Sequence, residues 1–187
     1  METNTTKKPR EKSFKTETST EVRNKIRSKI TEIQHTKEGL NNTFLWDILG
    51  SESDFIGVIP QDYLSSLRII NFPATLVVNL DLSTQPGSHW IALSISKDTL
   101  EIYDSLALNK QYWQHHPKFL LAFINQFYKT HRILVTPMLQ NPISNLCGFY
   151  CIYFIICRRV LSFSSCLSIF TSNLKVNDDV LINLLTQ

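Results

Sequence analysis

Four residues, in chain order His89, Asp104, Gln140 and Cys147, have the types that nucleophilic attack on a carbonyl requires. A cysteine attacks as its thiolate. Its ordinary pKa of about 8.5 must therefore be lowered, by a helix N-terminus or a neighbouring imidazolium. Cys147 follows the proline-bounded loop PMLQNPISNL and opens an apolar run that reads as a helix ending near Leu161. Unpaired amides of a first helical turn would then point at its sulfur. Gly148 beside it leaves room for a substrate carbonyl to approach the backbone. Taken alone, a buried free thiol is the commoner role for such a residue, and Cys151, one turn further on, fits that role.

The base must come from elsewhere in the chain. Of five histidines, His35 lies in the N-terminal arm, and His115, His116 and His131 flank polar helix ends. Only His89 stands at a turn-to-strand junction, followed by Trp90. A single strand histidine is more often a satisfied structural group. The next strand, however, ends in Tyr103-Asp104-Ser105, and a short hairpin would return Asp104 to His89. A carboxylate there orients the ring and favours its cationic form. Gln140 lies seven residues before Cys147, in a loop stiffened by Pro142. Its amide, with the Cys147 backbone N–H, would form an oxyanion site worth about 10²–10³ in rate. Each signal is weak by itself.

Together they are specific. The stretches GSHWIAL (87–93), IYDSLA (102–107) and QNPISNLCGFYCIYF (140–154) resemble the adenovirus endopeptidase-like (adenain-like) cysteine proteases, of the Maverick/Polinton or related DNA-virus type. These belong to the clan that includes the SUMO and ubiquitin-like-protein proteases. The order His…Asp…Gln…Cys is the clan's, and FxGVIPQDYL (from Phe55) and FPATLVVNL resemble upstream segments of the same enzymes. The resemblance spans residues 42–185. It implies His89 as general base, Asp104 as its orienting acid, Gln140 as oxyanion donor and Cys147 as nucleophile, with no metal or cofactor. It implies a polypeptide substrate with small residues near the cut, a capsid precursor of a virus or transposon. Two departures stand out: Asp104 replaces the Glu of the adenovirus enzymes, and no cysteine precedes Cys147 to tether an activating peptide. A modifier-deconjugating protease, and an inactive protease fold serving as a nucleic-acid or capsid binding module, are the rival readings.

The elements that must position these groups are legible in outline. In 187 residues, 43% are apolar and 19% charged, which suits one soluble core. The longest apolar run, residues 146–157, has 12 residues, against about 20 for a membrane span. No signal-like N-terminus is seen. A soluble intracellular monomer, in a virion or host nucleus, is expected. All four cysteines fall within residues 147–166, with no histidine nearby, a pattern that suits neither a disulfide framework nor a zinc site. The net charge of +3 is uneven: residues 1–40 carry ten basic and six acidic residues, the remainder nine and ten. Residues 1–41 therefore read as a basic arm, disordered through residue 19 and then helical, with Val22, Ile26, Ile30 and Ile33 on one face. Its cations would meet DNA if any part of the chain does. Residues 42–187 read as the protease domain: an α+β fold with a small, mostly antiparallel sheet flanked by helices. Strands are expected at 74–80, 89–96, 99–103 and 133–136, and helices at 61–67, 117–130, 147–161 and 178–185.

Overall fold

Every residue of Ala74–Asn79 is buried, and the sheet is built around this strand. The computed structural model describes residues 19–36, 38–107 and 117–187. The disorder expected up to residue 19 falls on residues outside these apart from Ser19, as do His115 and His116. Five strands, β1 (Phe55–Pro60), β2 (Ala74–Asn79), β3 (Trp90–Ile95), β4 (Thr99–Tyr103) and β5 (Arg132–Val135), lie side by side in chain order. The two inner ladders, β2–β3 and β3–β4, are antiparallel. The edge strands β1 and β5 run parallel to their neighbours. The fold is therefore α+β with a mixed sheet flanked by helices. The β3–β4 ladder follows from a short connection: at this turn Ser96 Oγ accepts the Thr99 N–H at 3.0 Å and donates to Asp98 at 2.8 Å.

Alternation along the strands separates two cores. On one face Leu76, Val78, Leu93 and Ile102 pack against Leu120, Phe123 and Ile124 of helix α3 (Lys118–Asn125). On the other, Val77, Ala92 and Tyr103 meet α4 (Cys147–Arg158). All residues of α4 from Cys147 to Ile155 are buried, as a helix apolar on every side must be. Around it lie α1 (Ser19–Thr36), α2 (Asn42–Leu49), α5 (Phe163–Leu167) and α6 (Leu174–Thr186). Ile26, Ile30 and Ile33 of α1 enter the same core, each burial contributing about 1.5–3 kcal/mol. Arg23 donates to the Gln187 carbonyl at 2.9 Å, and Arg27 to that of Thr186. Two cations thereby meet the negative end of α6.

The helix expected at 61–67 is a 3₁₀ turn over Gln61–Ser65. That expected at 117–130 is α-helical only to Asn125 and continues in turns. The last helix begins at Leu174, because the Asn173 side chain accepts the Val176 N–H at 3.3 Å and caps it. No helix among the described residues is long and apolar enough to cross a membrane.

A buried polar brace from α4 and α6 holds the loop before α4. Asn177 Nδ2 donates to the carbonyls of Leu139 and Thr171, at 3.0 and 2.9 Å, while its Oδ1 accepts the Thr171 N–H at 2.7 Å. The Tyr150 hydroxyl donates to Asp178 at 3.0 Å and lies 3.2 Å from the Leu139 carbonyl. Asn177 is wholly buried, so truncating it strands backbone groups that water cannot reach. Asn177→Ala should cost about 2–4 kcal/mol, read as a lowered urea midpoint with an unchanged m-value.

Candidate active site

His89 enters β3 with its carbonyl accepting the Leu80 N–H at 3.0 Å. Its side chain is buried, and Nε2 lies 2.7 Å from Asp104 Oδ1. A carboxylate only accepts, so Nε2 carries the proton and donates. Asp104, fully buried just past β4, is held on both sides of its peptide. Its N–H donates to Thr136 Oγ1 at 2.9 Å, and the Thr136 hydroxyl donates to its carbonyl at 2.8 Å. The Leu106 N–H donates to Oδ1 as well, at 3.1 Å.

The opposite ring nitrogen, Nδ1, is buried with no hydrogen-bond partner among the described residues. Burial is the largest single influence on the ring and pulls its pKa down. The bond to Asp104, then the thiol and charge of Cys147, together outweigh it and raise the pKa to about 9.

Cys147 is the first residue of α4, where backbone amides lack helical partners. All four cysteines are free thiols. Burial pushes the thiols of Cys151 and Cys157 up, and that of Cys166 to about 11. Those three are held in the unreactive thiol form at neutral pH.

Gln140 is buried and bonded at both ends. Oε1 accepts from Ser105 Oγ at 2.7 Å, and Nε2 donates to the Ser144 carbonyl at 2.7 Å. That carbonyl can only accept, which fixes which end of the amide is nitrogen. One N–H of Nε2 is left over. Ser105 also receives, on its carbonyl, the N–H groups of Leu139 and Gln140 at 2.8 and 2.9 Å. The segment bearing Asp104 and the loop bearing Gln140 are therefore one hydrogen-bonded unit.

His89, Gln140 and Cys147 line a single cleft of about 750 Å³, with Asp104 behind His89. Its far wall is the 81–88 loop, clamped where Asp62 accepts the backbone N–H and hydroxyl of Ser83 at 2.9 and 2.7 Å. At Gly148 the structure departs from the sequence expectation. The space beside it is filled by the Leu40 side chain: a Cβ on Gly148 would lie 2.9 Å from both Leu40 Cβ and Cδ1. Trp90 packs here too, its indole N–H donating to the Leu40 carbonyl at 2.8 Å. Sequence reasoning missed Thr136, Ser105 and Leu40. The one available signal was Ser105, directly after the acid.

No protein-family model and no curated protein matches the chain. Among solved structures it is similar to the SUMO protease Ulp1 with its catalytic cysteine oxidized to a sulfinic acid. Identity is 12%, the TM-score 0.42, and the match covers 90% of this chain and 93% of that one. A likeness at that level says nothing of individual residues.

The raised His89 pKa has a consequence for stability. Between about pH 6.5, where a free imidazole titrates, and about pH 9, the folded chain holds a proton that the unfolded chain has lost. That contribution is complete below pH 6.5 and fades as pH rises towards 9. Urea unfolding of the wild type should show stability falling between pH 6.5 and 8, before the unfolded chain's thiols ionise strongly. The His89→Ala/Asp104→Asn double variant, which leaves neither titrating group of the pair, should be nearly flat over that interval.

Proposed function

We propose that the chain is a cysteine endopeptidase that cleaves peptide bonds through an acyl-enzyme. One observation carries the reading: a buried histidine bound to a buried carboxylate through Nε2, its Nδ1 unpaired, in the same cleft as a cysteine at a helix N-terminus. In this reading His89, already an imidazolium below about pH 9, is held by Asp104 through Nε2 and pairs through Nδ1 with the sulfur of Cys147, which reacts as its thiolate. The sulfur attacks the substrate carbonyl. The oxyanion receives the Cys147 backbone N–H and the spare N–H of Gln140. His89 then gives its proton to the departing amine. Water, deprotonated by the same nitrogen, releases the acyl group and restores the thiolate beside the imidazolium.

The adenain-like sequence resemblance supports precursor proteins as substrates, cut beside small residues during particle maturation. None of the cleft's described lining residues is Asp, Glu, Lys or Arg, which suits uncharged residues at the cut. The arm gives less support to nucleic-acid contact, since Arg23 and Arg27 are committed to the carbonyls at the end of α6.

Iodoacetamide at about pH 6, where an ordinary thiol is only about 0.3% ionised, should label Cys147 well ahead of the other three cysteines in the wild type. In His89→Ala that preference should vanish. In peptide cleavage assays Cys147→Ala should abolish turnover, and Gln140→Ala should lower kcat about 100-fold. Four equally sluggish thiols would refute the peptidase reading, and normal turnover in His89→Ala would refute the role proposed for His89.

A further inference from the structure

We infer that Leu40 is a positioning residue of this cleft, fixing Trp90 beside His89 and the first turn of α4 beside Cys147. The inference rests on the peptidase reading and adds a residue that belongs to none of its four chemical roles. Leu40 is 4% exposed and lines the cleft together with His89, Trp90 and Cys147. It acts through two separate groups. Its carbonyl accepts the Trp90 indole N–H at 2.8 Å, which fixes the ring of the residue next to His89 from outside the sheet. Its side chain lies over Gly148, close enough that a Cβ there would meet Leu40 Cβ and Cδ1 at 2.9 Å and Cγ at 3.2 Å. Leu40 Cβ is attached to the main chain and cannot swing aside, so the contact sets how near the segment and the nucleophile helix lie.

Both neighbours of this segment are anchored. Downstream, the Asn41 side chain accepts the Phe44 N–H at 2.9 Å and caps α2. Upstream, Ile26, Ile30 and Ile33 bury α1 in the core. Leu40 is thus where the docking of α1 reaches the chemistry, although no residue of α1 lines the cleft. A base and a nucleophile must be held within a fraction of an ångström, and Leu40 bears on the mount of each.

The test uses the full chain in three variants. Trp90→Phe keeps an aromatic ring and deletes the N–H together with one ring of the indole. Leu40→Ala removes the atoms beyond Cβ, and Gly148→Ala inserts the clashing carbon. Each should lower kcat at least 10-fold with KM changed less than twofold, at temperatures where urea unfolding shows the variant folded. Because two of the changes act on one contact, the Leu40→Ala/Gly148→Ala double variant should lose no more than the worse single one. Should Leu40→Ala fail to fold, Trp90→Phe still decides. Folded Trp90→Phe and Leu40→Ala proteins with kcat within twofold of wild type would overturn the inference, while a dead Cys147→Ala kept the peptidase reading intact. A wild type with neither cleavage nor His89-dependent labelling would overturn both.

Discussion

The bond between His89 Nε2 and Asp104 Oδ1 is the interaction around which the rest of the molecule is arranged. Both groups are shut away from water, where an unpaired carboxylate or a cationic ring would be costly. Neither is tolerable without the other, and the pair is tolerable only while its geometry is held. The antiparallel hairpin brings the two residues close, but the ladder stops at Ala92 and Tyr103. Asp104 lies beyond it, and its alignment falls to Thr136 at the end of β5. A strand at the edge of the sheet thus serves to hold one peptide of the acid.

The same economy appears at Gln140. Its side chain is tied to Ser105 and Ser144, and the peptide groups on either side of it are tied to Asn177, Tyr150 and Asp178. With its nitrogen fixed against a carbonyl, the residue has one hydrogen to offer in one direction. The oxyanion role proposed for Gln140 needs a donor oriented before the charge appears, and the brace would provide that orientation in advance. Buried polar networks of this type are tolerable only when each member is satisfied. Asn177 fits the condition, with both ends of its amide occupied.

Much of what depended on local spacing was legible in the sequence, although the Asn41 cap of α2 and the Asn173 cap of α6, both local, were not read. The β3–β4 hairpin, the acid at its end, the helix opening at Cys147 and the loop carrying Gln140 follow from turn residues and periodicity, which act over a few positions. What escaped depended on partners far along the chain. The strand at 55–60 pairs in parallel with β2, and parallel pairing leaves no short-turn signature. Gly148 was read as room for a substrate, whereas the occupant is Leu40, more than 100 positions earlier. Thr136 was seen as the end of a strand and not as the clamp on Asp104. Asn177 and Asp178 look in sequence like ordinary polar residues of a terminal helix. Their role appears only once α6 lies against the 139–141 loop.

The brace from α6 also sets a timetable. Nascent chains emerge from the N-terminus, so His89, Asp104, Gln140 and Cys147 all exist before Asn177 and Asp178 have been added. Until then the loop bearing Gln140 lacks the supports from α6, and the crossover to β5 must already have closed to align Asp104. Pairings of that kind, remote in sequence and parallel in direction, form late. Under the peptidase proposal, the Cys147 thiol is therefore without its full set of partners until Asn177 and Asp178 have joined the loop. Docking of α6 completes the brace.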